Sequence, residues 1–457
     1  MTSQSVLDKI SQSLALAALA VMAAVAPVEA DGITLQVDQI KQRYPWNGLV
    51  DIDYTVAYDN AMIPGVDDNL EVLMIDNAMS PAVTNQAKTF LQAPLPLSEG
   101  SHRITWNANA DGVTNYTTAA EFVVRIAHYS EVYMVIDVSA GPGDDAIYKV
   151  DFFNGAPANG FVAPEYKSDK IVLRRIHPGS FLPGSPDDEA NRPTRLSPPT
   201  ADNEKLHRVA ITKPFYIGIY EITQKQYLKV MGGTNPSEYK DRDGNDYRPV
   251  ERVSYDMIRG KADIYTHQYD WPWTNAVADT SFMGRLRKKC KSKDEHGEYT
   301  VDVAGFDLPT EFQWEYACRA GTTNAFNTAA AFDNTDSSEQ AGQLVLLGRF
   351  GDNQGDGRGG LSQYHTNVGE YMPNNWGLYD MHGNVWERCL DWYVDDPKTL
   401  TPNQYVDPEG PLSGSSRVTR GGAWYEAVGD CRAARRNKNA SNHVSDKYGF
   451  RLVRNLP

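Results

Sequence analysis

The chain is poor in the residues that most reactive sites need. It has four cysteines in 457 residues, Cys290, Cys318, Cys389 and Cys431, and no two of them form a CxxC pair, which argues against a zinc cluster. Its nine histidines include no HxxxH or HExxH spacing, so no helix face offers two imidazoles one turn apart. There is no GxSxG nucleophile elbow, no P-loop and no GxGxxG following a strand. Basic residues are also in the minority. Against 59 acidic side chains stand 44 Lys and Arg, and the resulting charge of −15 disfavours nucleic acid and anionic membrane surfaces as partners. Beyond the N-terminus no apolar run is long enough to span a bilayer.

What is present begins with an export-like leader. Lys9 precedes an apolar run from Leu14 to Val25, and small residues flank Glu29 in Val28-Glu29-Ala30. Residues 1–30 are expected to be a signal peptide cleaved after Ala30, leaving a protein secreted, periplasmic or at a bacterial cell surface with no integral span. An uncleaved anchor is the alternative. In an oxidising compartment the four cysteines are able to form one or two disulfides. The hydrophobic content of 41% is enough for real cores, and 36 glycines with 26 prolines point to many loops. The length suits two or three domains.

Residues 31–130 read as all-β. Val50, Ile52, Tyr54, Val56 and Tyr58 alternate with Asp51, Asp53, Thr55 and Ala57, and Leu70, Val72, Met74 and Phe122, Val124, Ile126 repeat the period of two. Turn clusters such as Asn60 to Asn69 separate the runs, and the expected architecture is an immunoglobulin-like sandwich without an inter-sheet disulfide. Residues 131–169 read as connecting strands and linker, with strand candidates at Tyr133 to Val138 and, just beyond, Ile171 to Arg175. Residues 170–457 read as an α+β domain of isolated helices, short strands and long loops. Thr223 and Thr310 are expected helix caps, each with Gln at the third helical position, Gln226 and Gln313. Asp333 to Gly360 is polar and glycine-rich and reads as a long loop anchored at Leu344 to Leu347.

The densest chemistry lies in Asn375-Trp376-Gly377-Leu378-Tyr379-Asp380-Met381-His382-Gly383-Asn384-Val385-Trp386-Glu387. Two carboxylates separated by a glycine-bearing turn suit either a hard oxygen-seeking cation such as calcium or a solvated surface turn. Around it stand Glu221-Ile222-Thr223, Pro249-Val250-Glu251-Arg252-Val253-Ser254, Leu308-Pro309-Thr310-Glu311, Trp314-Glu315-Tyr316-Ala317, Val418-Thr419-Arg420-Gly421-Gly422-Ala423-Trp424, Cys431-Arg432-Ala433-Ala434-Arg435 and Gly449-Phe450-Arg451. Taken in this order, the series resembles the formylglycine-generating enzyme family, the sulfatase-modifying factors, over roughly residues 170 to 455.

The resemblance implies a compact fold with little regular secondary structure, related to C-type lectins. It implies a structural calcium site with side-chain ligands from Asp380 and Glu387 and carbonyl ligands from Gly383 and Val385. It also implies a Cys318–Cys431 disulfide, and a groove floored by Trp386, Trp424, Tyr425, Glu426, Asp430 and Arg435 that takes a peptide, protein or glycan. Arg451 is expected to pair with an internal carboxylate. Converting members of the family resemble copper oxidases that carry two cysteines shortly after Gly-Gly-Ser. Here Ala423 replaces the serine, Glu426 stands at the first cysteine, and the second is missing; a carboxylate is a poor ligand for monovalent copper. With that departure the resemblance implies a non-oxidase, ligand-binding member without copper. The alternative is an active oxidase that converts a sulfatase cysteine to formylglycine.

Overall fold

The computed structural model describes residues 28–456 apart from 31–32, 44–47, 59–67, 77–82, 88–90, 92–99, 112–119, 129–130, 158, 193–203, 241–246, 262–276, 328–333, 354–363 and 396–405. The leader's apolar run and most of the Asn60 to Asn69 turn lie outside these residues. The chain divides into two units, Met1–Tyr129 and Ser130–Pro457. No helix among the described residues is long and apolar enough to cross a membrane.

The first unit is built of antiparallel strands. Ile33–Gln42, Leu49–Tyr58 and Gly100–Asn107 pair in succession, with Val28–Ala30 on the outer edge of Ile33–Gln42. In a second sheet Asp68–Asp76 lies between Val83–Gln86 and Ala120–His128. The expected alternation holds along Leu49–Tyr58: Val50, Ile52, Tyr54 and Val56 are buried while Asp51, Asp53 and Thr55 lie on the opposite, wetter face. There the acids are matched across strands, Asp51 by Arg43 at 2.8 Å and Asp53 by Arg103 at 2.5 Å.

The second unit centres on an eight-stranded sheet. Its order is Tyr299–Asp302, Cys290–Lys293, Tyr148–Phe153, Tyr133–Asp137, Lys170–Ile176, Phe215–Gly218, Val453–Asn455 and Phe306–Asp307. The inner strands are apolar on both faces, as a sheet covered on both sides requires. Tyr133, Val135, Val172, Ile176, Phe215 and Ile217 face one core; Met134, Ile136, Ile171, Leu173 and Tyr216 face the other. The stretch 131–169, expected as connection and linker, thus supplies two strands to the middle of this sheet. A four-stranded sheet, ordered Asn437–Asn439, Arg417–Arg420, Trp386–Trp392, Tyr448–Gly449, carries the dense motifs.

Both expected capping boxes form. Thr223 Oγ1 accepts from Gln226 N at 3.2 Å and Gln226 Oε1 from Thr223 N at 3.0 Å, starting the helix Gln224–Met231. Thr310 and Gln313 repeat this at 3.1 and 3.0 Å for Glu311–Arg319, a helix buried along its whole length. One expectation fails. Within Asp333 to Gly360 lies a helix, Ser337–Leu347, capped by Asp336, whose Oδ1 accepts from Ser338 N and Glu339 N. Leu344 and Leu347 do anchor it, packed with Ala325 and Phe326.

Candidate ligand face and the buried charges beneath it

The turn between Asp380 and Glu387 is shaped by backbone that only certain residues adopt easily. Asp380 and Asn384 have φ of 56° and 59°, and Gly383 has φ of 90°. A Cβ on Gly383 would come within 2.1 Å of Arg349 O, so only glycine fits there. Asn384 Nδ2 and Val385 N donate to the carboxylate of Glu221, at 2.6 and 3.2 Å, which fastens the turn to a residue two positions ahead of Thr223, the cap of the Gln224–Met231 helix. Glu221 is buried, and burial together with the charges of Asp380 and Glu387 pushes its carboxyl well above the usual range.

Glu387 is fully buried and already paired. Arg451 donates Nε to Oε2 and Nη2 to Oε1, both at 2.6 Å, and Trp314 Nε1 donates to Oε2 at 2.8 Å. Two parallel charge-assisted bonds are the strongest arrangement this carboxylate has available. Asp380 is buried as well. Its Oδ2 accepts from Gly369 N at 2.6 Å, its Oδ1 has no partner among the described residues, and burial pushes its carboxyl up to about 7. The donor set expected for calcium therefore does not fit as arranged. Glu387 has both oxygens committed and its charge neutralised by Arg451, and no cluster of three or more His, Cys, Asp or Glu side chains suited to a metal occurs among the described residues. Arg451 does pair with an internal carboxylate, as expected.

The Gly421-Gly422 loop lies directly on this turn. Gly383 N donates to Gly421 O at 2.7 Å and Trp424 N to Asn384 O at 2.8 Å. Of the expected floor, Trp386 and Trp424 turn out to be buried, packed with Ala423 and Tyr448, because large aromatics here close a small core. Tyr425 is 60% exposed, and Glu426, Asp430 and Arg435 are half-buried, the last two ion-paired at 2.9 Å. Glu426 Oε1 accepts from Trp386 Nε1 at 3.3 Å and from Lys447 Nζ at 3.1 Å. Tyr239 and Tyr364 join the cluster, their rings 5.7 and 6.3 Å from that of Trp424, and Tyr239 OH donates to Asp446 Oδ2 at 3.1 Å. Under them His365 sits 3.7 Å from Glu251. Tyr239, Tyr364 and Lys447 carried no signal in the sequence, since only the tertiary fold brings them beside Trp424.

All four cysteines are buried thiols, so the Cys318–Cys431 bridge is not present. Cys318 Sγ faces Met381 O at 3.8 Å and His382 Nε2 at 3.7 Å, while His382 Nδ1 lies 2.7 Å from Cys431 O. The imidazole thus stands between the two residues, which pack into separate core clusters. Burial pushes the Cys318 thiol up to about 12 and that of Cys431 well above its ordinary value.

Residues 163–456 match the sulfatase-modifying factor enzyme 1-like domain. The chain belongs to this family. A formylglycine-generating enzyme of Thermomonospora curvata is 34% identical over 317 residues, which cover 65% of this chain and 98% of that protein. The serine/threonine-protein kinase pkn1 of Chlamydia pneumoniae is 44% identical over 262 residues, 56% of this chain and only 35% of the kinase. Among solved structures, Treponema denticola variable protein 1 aligns over 63% of this chain and 96% of its own, with a TM-score of 0.43 and 24% identity.

In this member of the sulfatase-modifying factor family the motif series is joined by buried ion pairs. Glu311 pairs with Arg436, Glu315 with Arg319 and Arg420, and Arg432 with Glu189 and Glu204 at 2.6 and 2.9 Å. Arg420 Nη2 also donates to Ala433 O at 2.9 Å and Nη1 to Ala434 O at 3.0 Å, so one guanidinium ties the Trp314 block, the Gly421-Gly422 loop and the Ala433-Ala434 strand approach together. These arginines hold the loop that presents Tyr425 and Glu426.

Proposed function

We propose that this chain is an exported, non-oxidase member of the sulfatase-modifying factor family that binds a partner on the Tyr425–Glu426 face. One observation carries the reading. At the position of the first copper cysteine stands Glu426, a carboxylate held by Trp386 and Lys447, and the nearest cysteine in sequence, Cys431, is a buried thiol packed against Gly422. A carboxylate and one buried sulfur are not the pair of soft thiolates that monovalent copper favours. Titration with monovalent copper under reducing conditions is expected to give no tight site; a stoichiometric complex with two-thiolate absorption would overturn the proposal.

A second reading, an active oxidase, is favoured by the otherwise complete motif series. It requires that a peptide containing Cys-x-Pro-x-Arg gain an aldehyde on incubation with the protein, a mass change that an inactive member will not produce. The first unit fits an immunoglobulin-like spacer or docking module, supported by its two antiparallel sheets and by its lack of buried titratable clusters among the described residues. We propose in addition that the Arg451 guanidinium, not calcium, balances Glu387 here, because both oxygens that a metal would need already accept hydrogen bonds.

A further inference from the structure

Beside the exposed Tyr425 ring, Glu426 already holds a cation. Lys447 Nζ lies 3.1 Å from Glu426 Oε1 and 4.6 Å from the centre of the Tyr425 ring. The ammonium therefore has a carboxylate on one side and an aromatic face on another, two protein groups that both attract it. The Lys447 and Glu426 side chains are 28% and 23% exposed, so this is a surface pair and not a core ion pair. The carboxylate is fixed from below. Glu426 N donates to Ala423 O at 2.9 Å, Gly351 N to Glu426 O at 2.8 Å, and Trp386 Nε1 to Oε1 at 3.3 Å. Among the described residues Oε2 accepts no hydrogen bond. Carboxylate and ring thus belong to a braced loop, whereas the ammonium arrives on a flexible four-carbon stem from another segment.

We infer that Tyr425 and Glu426 form a recognition seat for a lysine side chain of a partner protein, and that Lys447 is the internal occupant which a partner lysine replaces. This rests on the reading of the face as a binding surface and adds the class of ligand. A part-exposed ion pair is weak enough to exchange, and the net charge of −15 draws a basic partner toward the surface. Lysine is the side chain the seat already accommodates, a single ammonium at Oε1 beside the Tyr425 ring. A protein fits better than a free amine, because a ring 60% exposed cannot enclose a small ligand, which pockets bury almost completely.

The test uses the full chain and an oligolysine peptide, with binding followed by calorimetry at low salt. Lys447→Ala empties the seat and is expected to tighten binding about two- to fivefold, the loss of one competing part-exposed charge pair. Adding Glu426→Gln to that variant is expected to return binding to the wild-type level or below. Lys438→Ala removes the same charge from a pair with the exposed Asp395 and is expected to leave binding nearly unchanged. An equal gain in Lys438→Ala, a gain that survives Glu426→Gln, or the same gain for an oligoarginine peptide would each overturn the inference. The non-oxidase reading is decided separately by the copper titration, so a failed lysine seat leaves it standing.

Discussion

At Glu387 two expectations meet on one carboxylate. The sequence pointed to Glu387 as a calcium ligand and to Arg451 as the partner of some internal acid, and the fold resolves the competition by pairing them. A carboxylate in a string of letters looks the same whether it serves a metal or a guanidinium; only the fold says which cation reaches it. Arg451→Met leaves Glu387 buried without its counter-charge, and chemical denaturation is expected to show a loss of about 3–5 kcal/mol. In the wild type the melting temperature is expected to be the same in calcium and in chelator. A chelator-induced drop would return the metal to Glu387. Asp391 gives a pH-dependent counterpart. Its Oδ2 accepts from Glu311 N at 2.7 Å, Oδ1 is buried without a partner among the described residues, and burial reinforced by the Glu311 charge pushes the carboxyl up to about 8. Because the folded value lies above the unfolded one, the stability this group contributes is complete below its ordinary range near 3.8 and is lost as pH rises through about 8. Asp391→Asn keeps the acceptor for Glu311 N and cannot ionise. Relative to wild type it is expected to gain stability between pH 4 and 9, by on the order of a few kcal/mol, as read from urea melts at each pH.

At the scale of elements, what could be read in the sequence was local. Thr223 and Thr310 announce their helices because a cap and its third-position glutamine lie within four residues of each other, and alternation along Leu49–Tyr58 reports which face is wet. The helix Ser337–Leu347 was hidden by its polar, serine-rich first turn, although Asp336 with Glu339 three residues on is the same start signal in acidic form. The candidate face was legible only in part. Glu426, Tyr425 and the Gly421-Gly422 loop stand together in sequence. Tyr239, Tyr364 and Lys447 come from three other segments, and the burial of Trp386 and Trp424 depends on Tyr448 closing over them. The cap itself is testable. Asp336→Ala removes an acceptor serving two backbone N–H groups and is expected to destabilise the helix by about 1 kcal/mol. Amide exchange should speed up across residues 337–347 and not in Glu311–Arg319, whose own cap is untouched.

At the scale of the whole molecule, the family match and the folding unit do not begin at the same residue. The match starts at 163, yet Tyr133–Asp137 and Tyr148–Phe153 lie inside the eight-stranded sheet, between Cys290–Lys293 and Lys170–Ile176. Tyr133–Asp137 pairs along its length with Lys170–Ile176, and its side chains enter both cores, Tyr133 and Val135 on one face, Met134 and Ile136 on the other. Removing it would strip one ladder of backbone bonds from Lys170–Ile176 and open the two cores at once, a loss no single domain of ordinary stability withstands. The second unit starts at Ser130 and carries its own core. A chain of residues 130–457 is therefore expected to give one cooperative thermal transition close to that of the same unit in the full protein, with its near-ultraviolet dichroism intact. A chain of residues 163–457, cut where the family match begins, is expected to lack that transition and to expose apolar surface to a hydrophobic dye. A cooperative melt of the shorter chain would show that the two early strands are an addition to the sheet and not part of what holds it together.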